Sequence, residues 1–263
     1  MTGPVSESAA EGLVAENITV RYGGVTANAD VSIAVPPGAL VGLIGPNGAG
    51  KTSLIDALSG FTAAEGSMTL DGRRIDRLSA HRRRRAGMAR TWQAGELFDS
   101  LTVRENVLVA ARPIGWRSIG RDLGVVRRDR DDGQSVLDAL GLGEVAERNA
   151  TELSLGTQRL VGVARAMAGG SRTLLLDEPA AGLDTRESRR LGERLQRLTE
   201  TGPGILLVDH DVELVFAIST HVYVMDFGRI IASGPAATVR KDPKVLAAYL
   251  GAEASTETVA EVV

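Results

Sequence analysis

Between residues 39 and 60 the chain passes from an apolar run at 39–44, through a glycine-rich stretch, into a helical pattern at 52–59 that stops at Gly60. The stretch reads Gly45-Pro46-Asn47-Gly48-Ala49-Gly50-Lys51-Thr52, the spacing G-x-x-x-x-G-K-[ST]. A strand before it and a helix after it are the context in which this spacing cradles phosphate. Glycines let successive backbone N–H groups turn inward around phosphate oxygens. The helix N-terminus adds favourable positive potential. In such a loop Lys51 reaches the β- and γ-phosphates and the Thr52 hydroxyl ligates Mg²⁺, with Ser53 next on the first helical turn. Of 30 basic residues only Lys51, Lys241 and Lys244 are lysine. A lysine kept in so arginine-rich a chain has a local reason here, because a compact ammonium fits the loop where a planar guanidinium does not.

The rest of the sequence supplies a frame for this junction. Strand-like runs occur at 13–21, 31–35, 173–176 and 204–208. Two more, at 222–225 and 229–232, flank Asp226-Phe227-Gly228 as a hairpin. Alternation of such runs with helical ones predicts an α/β domain with a mainly parallel core sheet. Residues 95–170 differ: few strand signals and amphipathic stretches at 103–111 and 133–140 predict an inserted helical subdomain. Within it, 112–132 mixes Arg and Asp densely and reads as a solvated excursion. Residues 1–12 and 252–263 read as flexible tails around one domain at 13–251, and no internal repeat suggests a second nucleotide unit. The formal net charge of −3 gives no basic field for nucleic acid, and the absence of cysteine excludes disulfides and thiolate metal sites. Neither a signal-peptide pattern nor a run of ~18 apolar residues is present, so the expectation is a cytoplasmic chain that meets a membrane through a partner.

A second acidic feature completes the chemistry. The apolar run at 173–176 ends in Asp177-Glu178. At the end of a strand Asp177 is placed to hold Mg²⁺ through its water shell, and Glu178 to polarise an attacking water. With these motifs in order, the sequence resembles the ATPases of ABC transporters from about residue 13 to 251. The resemblance implies a P-loop NTPase fold: a RecA-like parallel core sheet, an antiparallel β subdomain and an inserted α-helical subdomain. It implies ATP and Mg²⁺ as ligands. It also implies that Tyr22 stacks on adenine and that Gln93, in Arg90-Thr91-Trp92-Gln93, contacts Mg²⁺ or water and relays to the membrane subunit. Leu153-Ser154-Leu155-Gly156-Thr157-Gln158 stands at the signature, Gly182-Leu183-Asp184 at the D-loop, and His210 at the switch histidine, with Asp209 and Asp211 placed to favour its charged form. Ser154 and Gly156 open an amphipathic helix carrying Leu160, Val163, Ala164 and Met167 on one face; its N-terminus is a second anion site. In the family that site serves the ATP of a neighbouring chain in a head-to-tail dimer. The signature departs from the usual LSGGQ at Leu155 and Thr157.

Local stretches narrow the resemblance toward the ATPases of branched-chain amino-acid importers. They are Arg21-Tyr22-Gly23-Gly24-Val25-Thr26-Ala27, Arg90 to Gln93 followed by Leu97-Phe98 and Leu101 to Val107, and Ala248-Tyr249-Leu250-Gly251. The implied partners are a second nucleotide-binding subunit, identical or paralogous, transmembrane permease subunits, and indirectly an extracytoplasmic solute-binding protein. The implied place is the cytoplasmic face of the membrane. ATPases of lipopolysaccharide export share much of the pattern but typically lack the insertion at 112–132 and the longer N-terminal tail; they, or ATPases of urea or amide uptake, are the alternatives within the family. A soluble P-loop switch is the alternative of a different class, disfavoured by the signature and by the lack of Asn-Lys-x-Asp. Leu97, Phe98 and Leu101 either line the groove for a membrane subunit's coupling helix or pack the insertion's own core. The basic run His81 to Arg85 reads as a solvated helix face in preference to a lipid-facing one.

Overall fold

The computed structural model describes residues 12–91, 97–111 and 133–249. β1 (Leu13–Tyr22) and β2 (Val25–Val35) form an antiparallel pair joined at the Gly23-Gly24 turn, with Leu13 opposite Val35. In β2, Val31, Ile33 and Val35 are buried while Ser32 is exposed, the period-two pattern of a sheet with one wet face. β3 (Leu40–Ile44) is buried throughout and runs into the glycine-rich loop and α1 (Lys51–Ser59). α1 ends where Gly60 takes a left-handed conformation and donates its N–H back to the carbonyls of the last turn. β4 (Glu65–Leu70) and β5 (Arg73–Arg74) return to the first sheet, whose order is β2-β1-β4-β5.

α2 (Ala80–Ala86) and β6 (Met88–Thr91) follow. The insertion then supplies α3 (Val103–Ala111), α4 (Gln134–Ala139) and α5 (Leu155–Ala168). The helices expected at 103–111 and 133–140 are therefore present, with Gly133 as the N-cap of α4. The chain re-enters the main sheet through β7 (Thr173–Asp177), α6 (Thr185–Glu200), β8 (Gly204–Val208) and α7 (Val212–Ile218). It finishes the sheet with the hairpin β9 (His221–Asp226) and β10 (Arg229–Pro235), then α8 (Ala236–Val239) and a last helix at 243–249. Phe227 and Gly228 both have positive φ at the hairpin turn, as a two-residue connection between antiparallel strands demands.

The second sheet has the order β10-β9-β3-β8-β7-β6, parallel except for β10. Its strands are covered on both faces, which is why β3, β7 and β8 read as continuous apolar runs. Alternate residues point to separate cores. Leu40, Ile44, Leu174, Leu176, Ile205 and Leu207 face the side of α5, α6 and α7, whereas Val41, Leu43, Leu175, Leu206 and Val208 face α1 and the antiparallel sheet. α5 buries Val161 and Ala166 as well as Leu160, Val163 and Ala164, so it is enclosed on more than the single face its pattern predicted. Met167 is only partly buried.

The basic run on α2 is not a uniformly solvated face. His81, Arg82 and Arg85 are exposed, but Arg83 is 3 % exposed and inserted beneath the end of α1. Its guanidinium donates to the carbonyls of Ala57, Leu58, Asp76 and Leu78. A backbone corner with several inward carbonyls accepts a forked, multi-donor cation, and sequence charge alone does not reveal that geometry. Trp92, Gln93 and the whole 112–132 excursion lie outside the described residues, as do residues 1–11 and 250–263.

Candidate functional site

The functional residues gather at the carboxyl edge of the parallel sheet, where α/β folds place their ligands. β8 lies between β3 and β7, so the loop after β3 and the carboxylates after β7 stand on either side of the residues that follow β8. Gly45 to Gly50 connect β3 to α1 within the domain's interior face. Two of its glycines are required by their surroundings. A Cβ at Gly45 would lie 2.1 Å from the Met225 carbonyl oxygen, and one at Gly50, φ +99°, would lie 2.6 Å from the Ala27 oxygen. The loop is thus clamped by neighbouring backbone: Gly228 donates its N–H to the Ala49 carbonyl at 2.9 Å, and buried Asn28 on β2 donates to the Gly50 carbonyl at 3.0 Å. Gly48, by contrast, faces open space, as does the exposed tip at Asn47.

Lys51 is 9 % exposed. Its ammonium donates to the Gly45 carbonyl at 2.6 Å and the Pro46 carbonyl at 2.9 Å, bridging the mouth of the loop. Burial lowers its pKa, against the opposing pull of Glu178 and Asp177. A partly desolvated cation facing two carboxylates and a ring of backbone is matched to a polyanion with a divalent metal. Thr52 is exposed and Ser53 half-buried on the first turn of α1. Asp177, 8 % exposed, ends β7 and accepts from Arg90 at 2.8 Å. Glu178 follows with φ +47°, a left-handed conformation that non-glycine residues rarely adopt. Its N–H bonds the Val208 carbonyl at 2.7 Å and its carbonyl accepts from Ala181, so the turn is held by β8 and by its own next residues. Strain of this kind concentrates at working sites.

His210 follows β8 with its side chain 61 % exposed. Asp209 is turned fully inward and accepts from the N–H groups of Ala180 and Asp211, each at 3.0 Å, with His210 Nδ1 3.5 Å away. Burial pushes the Asp209 carboxyl up, with those N–H groups and His210 opposing. Asp211 caps α7 through the Leu214 N–H. Both aspartates beside His210 are therefore engaged by backbone, Asp209 by joining the β7 and β8 loops.

The signature stands apart from this cluster. Ser154 is the N-cap of α5, accepting from the Thr157 N–H at 3.4 Å, and Leu155 is 40 % exposed with its side chain 3.5 Å from a Cβ position on Gly182. Ser154 and Gly156 line a separate cavity of about 420 Å³ with α6, and no residue of the phosphate loop lines it. Asp184 caps α6 through the N–H groups of Arg186 and Glu187. Tyr22 is 47 % exposed, its hydroxyl 3.3 Å from that of Thr62 just beyond α1. Leu97 packs on the core while Phe98, 45 % exposed, lies under the Arg165 guanidinium at 4.9 Å. The cluster of Leu97 and Phe98 therefore divides between packing and surface. Gln93 falls outside the described residues.

Asn28 carries no signal in the sequence, and nothing there hints at the contacts that Arg90 and Asp209 make here: Arg90 with Asp177, and Asp209 with the Ala180 N–H. Burial raises the hydroxyl of Tyr249, on the last helix, to about 12, with the Gly45 backbone opposing.

Comparison with known proteins agrees with this geometry. Residues 29–181 match the family described as ABC transporter, and residues 229–255 the one described as branched-chain amino acid ATP-binding cassette transporter. The chain belongs to the ABC transporter family and is its ATP-binding, ATP-hydrolysing cassette. Among curated relatives, the high-affinity branched-chain amino acid transport ATP-binding protein LivG of Salmonella typhimurium is 38% identical over 91% of this chain and 97% of its own. A probable LivG of Archaeoglobus fulgidus is 35% identical over 92% and 96%, and the lipopolysaccharide export ATP-binding protein LptB of Haemophilus influenzae 32% over 91% and 97%. A crystal structure of a nucleotide-free ATP-binding cassette from an ABC transporter superposes with a TM-score of 0.77 at 30% identity, covering 91% of this chain and 98% of that one.

Proposed function

We propose that this chain powers the uptake of branched-chain amino acids by binding and hydrolysing ATP at the cytoplasmic face of a membrane. The observation that carries this reading is the convergence of the Lys51 loop, Asp177-Glu178 and His210 on one sheet edge, in a chain whose 229–255 segment matches the branched-chain cassette description. Among the described residues no helix is long and apolar enough to cross a membrane, so transmembrane permease subunits carry the solute path.

The roles follow from placement. The Gly45–Gly50 loop and the start of α1 bind the β- and γ-phosphates, with Lys51 as the countercharge. Pro46, Asn47 and Ala49 supply loop backbone, Tyr22 a face for adenine, and Ser53 a second hydroxyl. Thr52 and Asp177, with Gln93, would hold Mg²⁺, which would supply positive charge against the phosphates. Glu178 orients and polarises the attacking water, and His210 contacts the γ-phosphate. Ser154, Gly156 and Asp184 act across a dimer on the ATP of a second subunit, identical or paralogous. For Ser154 and Gly156 that assignment is supported by the cavity they line, which no residue of the Lys51 loop shares. Two ATP molecules close the pair, and closure moves the permease subunits. A solute-binding protein outside the membrane delivers the amino acid.

Reconstitution with its permease subunits and binding protein tests the reading. Leucine, isoleucine or valine is expected to stimulate ATPase activity; stimulation by another solute class alone would replace the substrate assignment. His210→Ala is expected to abolish hydrolysis, and an unchanged rate would remove that role.

A further inference from the structure

We propose that Arg90 is a positioning residue for the metal site: it fixes Asp177 and ties it to the helix that begins with Lys51 and Thr52. The proposal rests on the ATP and Mg²⁺ reading of the site. Arg90 lies on β6, the edge strand beside β7, in register with Leu175. Its side chain is 4 % exposed. One arm of the guanidinium, Nη2, donates to Asp177 Oδ2 at 2.8 Å. The other, Nη1, donates to Asp56 Oδ1 at 2.5 Å and to Ser59 Oγ at 3.1 Å, both on α1. Ser59 in turn donates to the Ile55 carbonyl at 2.6 Å, so it is locked to the same helix.

This is a cross-brace between the two halves of the candidate site. β7 presents Asp177, and α1 presents Lys51 and Thr52 at its other end. The planar fork spans carboxylates on two separate elements, which a single ammonium does not. Asp177 Oδ2 accepts from Arg90, which limits the carboxylate's rotation and leaves Oδ1 as the oxygen not taken by the arginine's Nη2. A carboxylate whose outer oxygen is held by a donor is oriented for a metal's water shell without a search over rotamers. The guanidinium lies between Asp56 and Asp177 and offsets the repulsion between their charges. Asp56 carries no motif signal, and this geometry gives it a role: it anchors the arginine from the α1 side.

The test compares the full-length wild type with Arg90→Lys and Asp56→Asn. Metal-free binding of a fluorescent ATP analogue is measured first, then Mn²⁺ affinity of the nucleotide complex by electron paramagnetic resonance, then the Mg²⁺ dependence of turnover. Arg90→Lys is expected to keep metal-free nucleotide binding, weaken Mn²⁺ by about tenfold or more, and raise the half-saturating Mg²⁺ more than it lowers the rate at saturating metal. Asp56→Asn, which leaves both Arg90 and Asp177 in place, is expected to shift Mn²⁺ affinity the same way by a smaller factor. Wild-type Mn²⁺ affinity in Arg90→Lys would overturn the proposal. If that variant does not fold, wild-type Mn²⁺ affinity in Asp56→Asn overturns it alone. A wild type that fails to bind the analogue would instead refute the nucleotide reading itself.

Discussion

Arg83 offers a quantitative check on how α1 is held. Its guanidinium meets the carbonyls of Ala57 and Leu58 at 2.6 and 2.7 Å, Asp76 at 2.8 Å and Leu78 at 2.9 Å. The first two belong to the last turn of α1, whose terminal carbonyls have no partner within the helix. The Ala57 carbonyl also accepts from the Gly60 N–H, whereas among the described residues Arg83 is the donor to the Leu58 carbonyl. Charge-assisted bonds of this kind contribute roughly 1.5–3 kcal/mol each, and the cost of burying the cation itself offsets part of their sum. Removing one member of a buried charged network costs about 3–5 kcal/mol. At about 2–4 °C per kcal/mol for a domain of this size, Arg83→Ala is expected to lower Tm by about 10 °C. Calorimetry or circular dichroism on purified protein measures this. The Lys51 loop lies at the far end of α1, about 13 Å away at 1.5 Å per residue. ATP affinity at low temperature should therefore remain near wild type. A loss of under about 1 kcal/mol would refute the bracing role, because surface arginines fall in that range.

Other perturbations follow from the same geometry. Gly50→Ala places a methyl group 2.6 Å from the Ala27 oxygen at φ +99°, so ATP binding measured by calorimetry should fall by at least about tenfold, as roughly 1.4 kcal/mol of strain at the loop implies. Lys51→Ala should abolish hydrolysis; undiminished turnover would end the phosphate-loop assignment. Glu178→Gln should keep ATP binding and trap a dimer, which size-exclusion chromatography with ATP and Mg²⁺ detects; a variant that stays monomeric argues against the shared site. His221 is half-buried against Tyr223, and burial lowers its pKa from 6.5. A depressed folded pKa means its contribution is present above the unfolded value of 6.5 and lost as pH falls through the folded one. The Tm of the wild type should therefore fall between about pH 7.5 and about pH 5.5 by more than that of His221→Phe, and equal slopes would remove His221 as the cause.

The parallel core was legible in the sequence because burial on both sheet faces leaves unbroken apolar runs at β3, β7 and β8. The β9–β10 hairpin was legible because Asp226-Phe227-Gly228 combines a break in the apolar pattern with a glycine for positive φ. The short edge strands escaped. β6 is four residues long and carries Arg90, so its sequence shows neither an apolar run nor alternation. β4, Glu-Gly-Ser-Met-Thr-Leu, buries only Met68 and Leu70, too few positions for a period-two signal. Arg83 was misread for a related reason. A charge run is a statement about composition, whereas its burial depends on carbonyls contributed from residues 57, 58, 76 and 78.

The candidate site divides along the same line between local and assembled chemistry. Lys51 and Thr52 were visible because the spacing G-x-x-x-x-G-K-[ST] marks them, and Asp177, Glu178 and His210 because they stand at or just after the ends of β7 and β8, which hydrophobic runs reveal. The contacts of Asn28, Arg90 and Asp209 were not, because each works through a partner far along the chain: Gly50 and Met225, Asp56 and Asp177, Ala180. Asp209 is the sharpest case. Read beside His210 it was assigned to the histidine's charge, yet its carboxylate is fully buried and spent on the backbone N–H groups of Ala180 and Asp211. The Asp209–Ala180 bond ties the loop after β7, which carries Glu178, to the loop after β8, which carries His210. Ala181 and Leu183 continue that web by donating to the Glu178 and Ala180 carbonyls, so the turn after Glu178 is held by backbone groups that no local sequence pattern reveals.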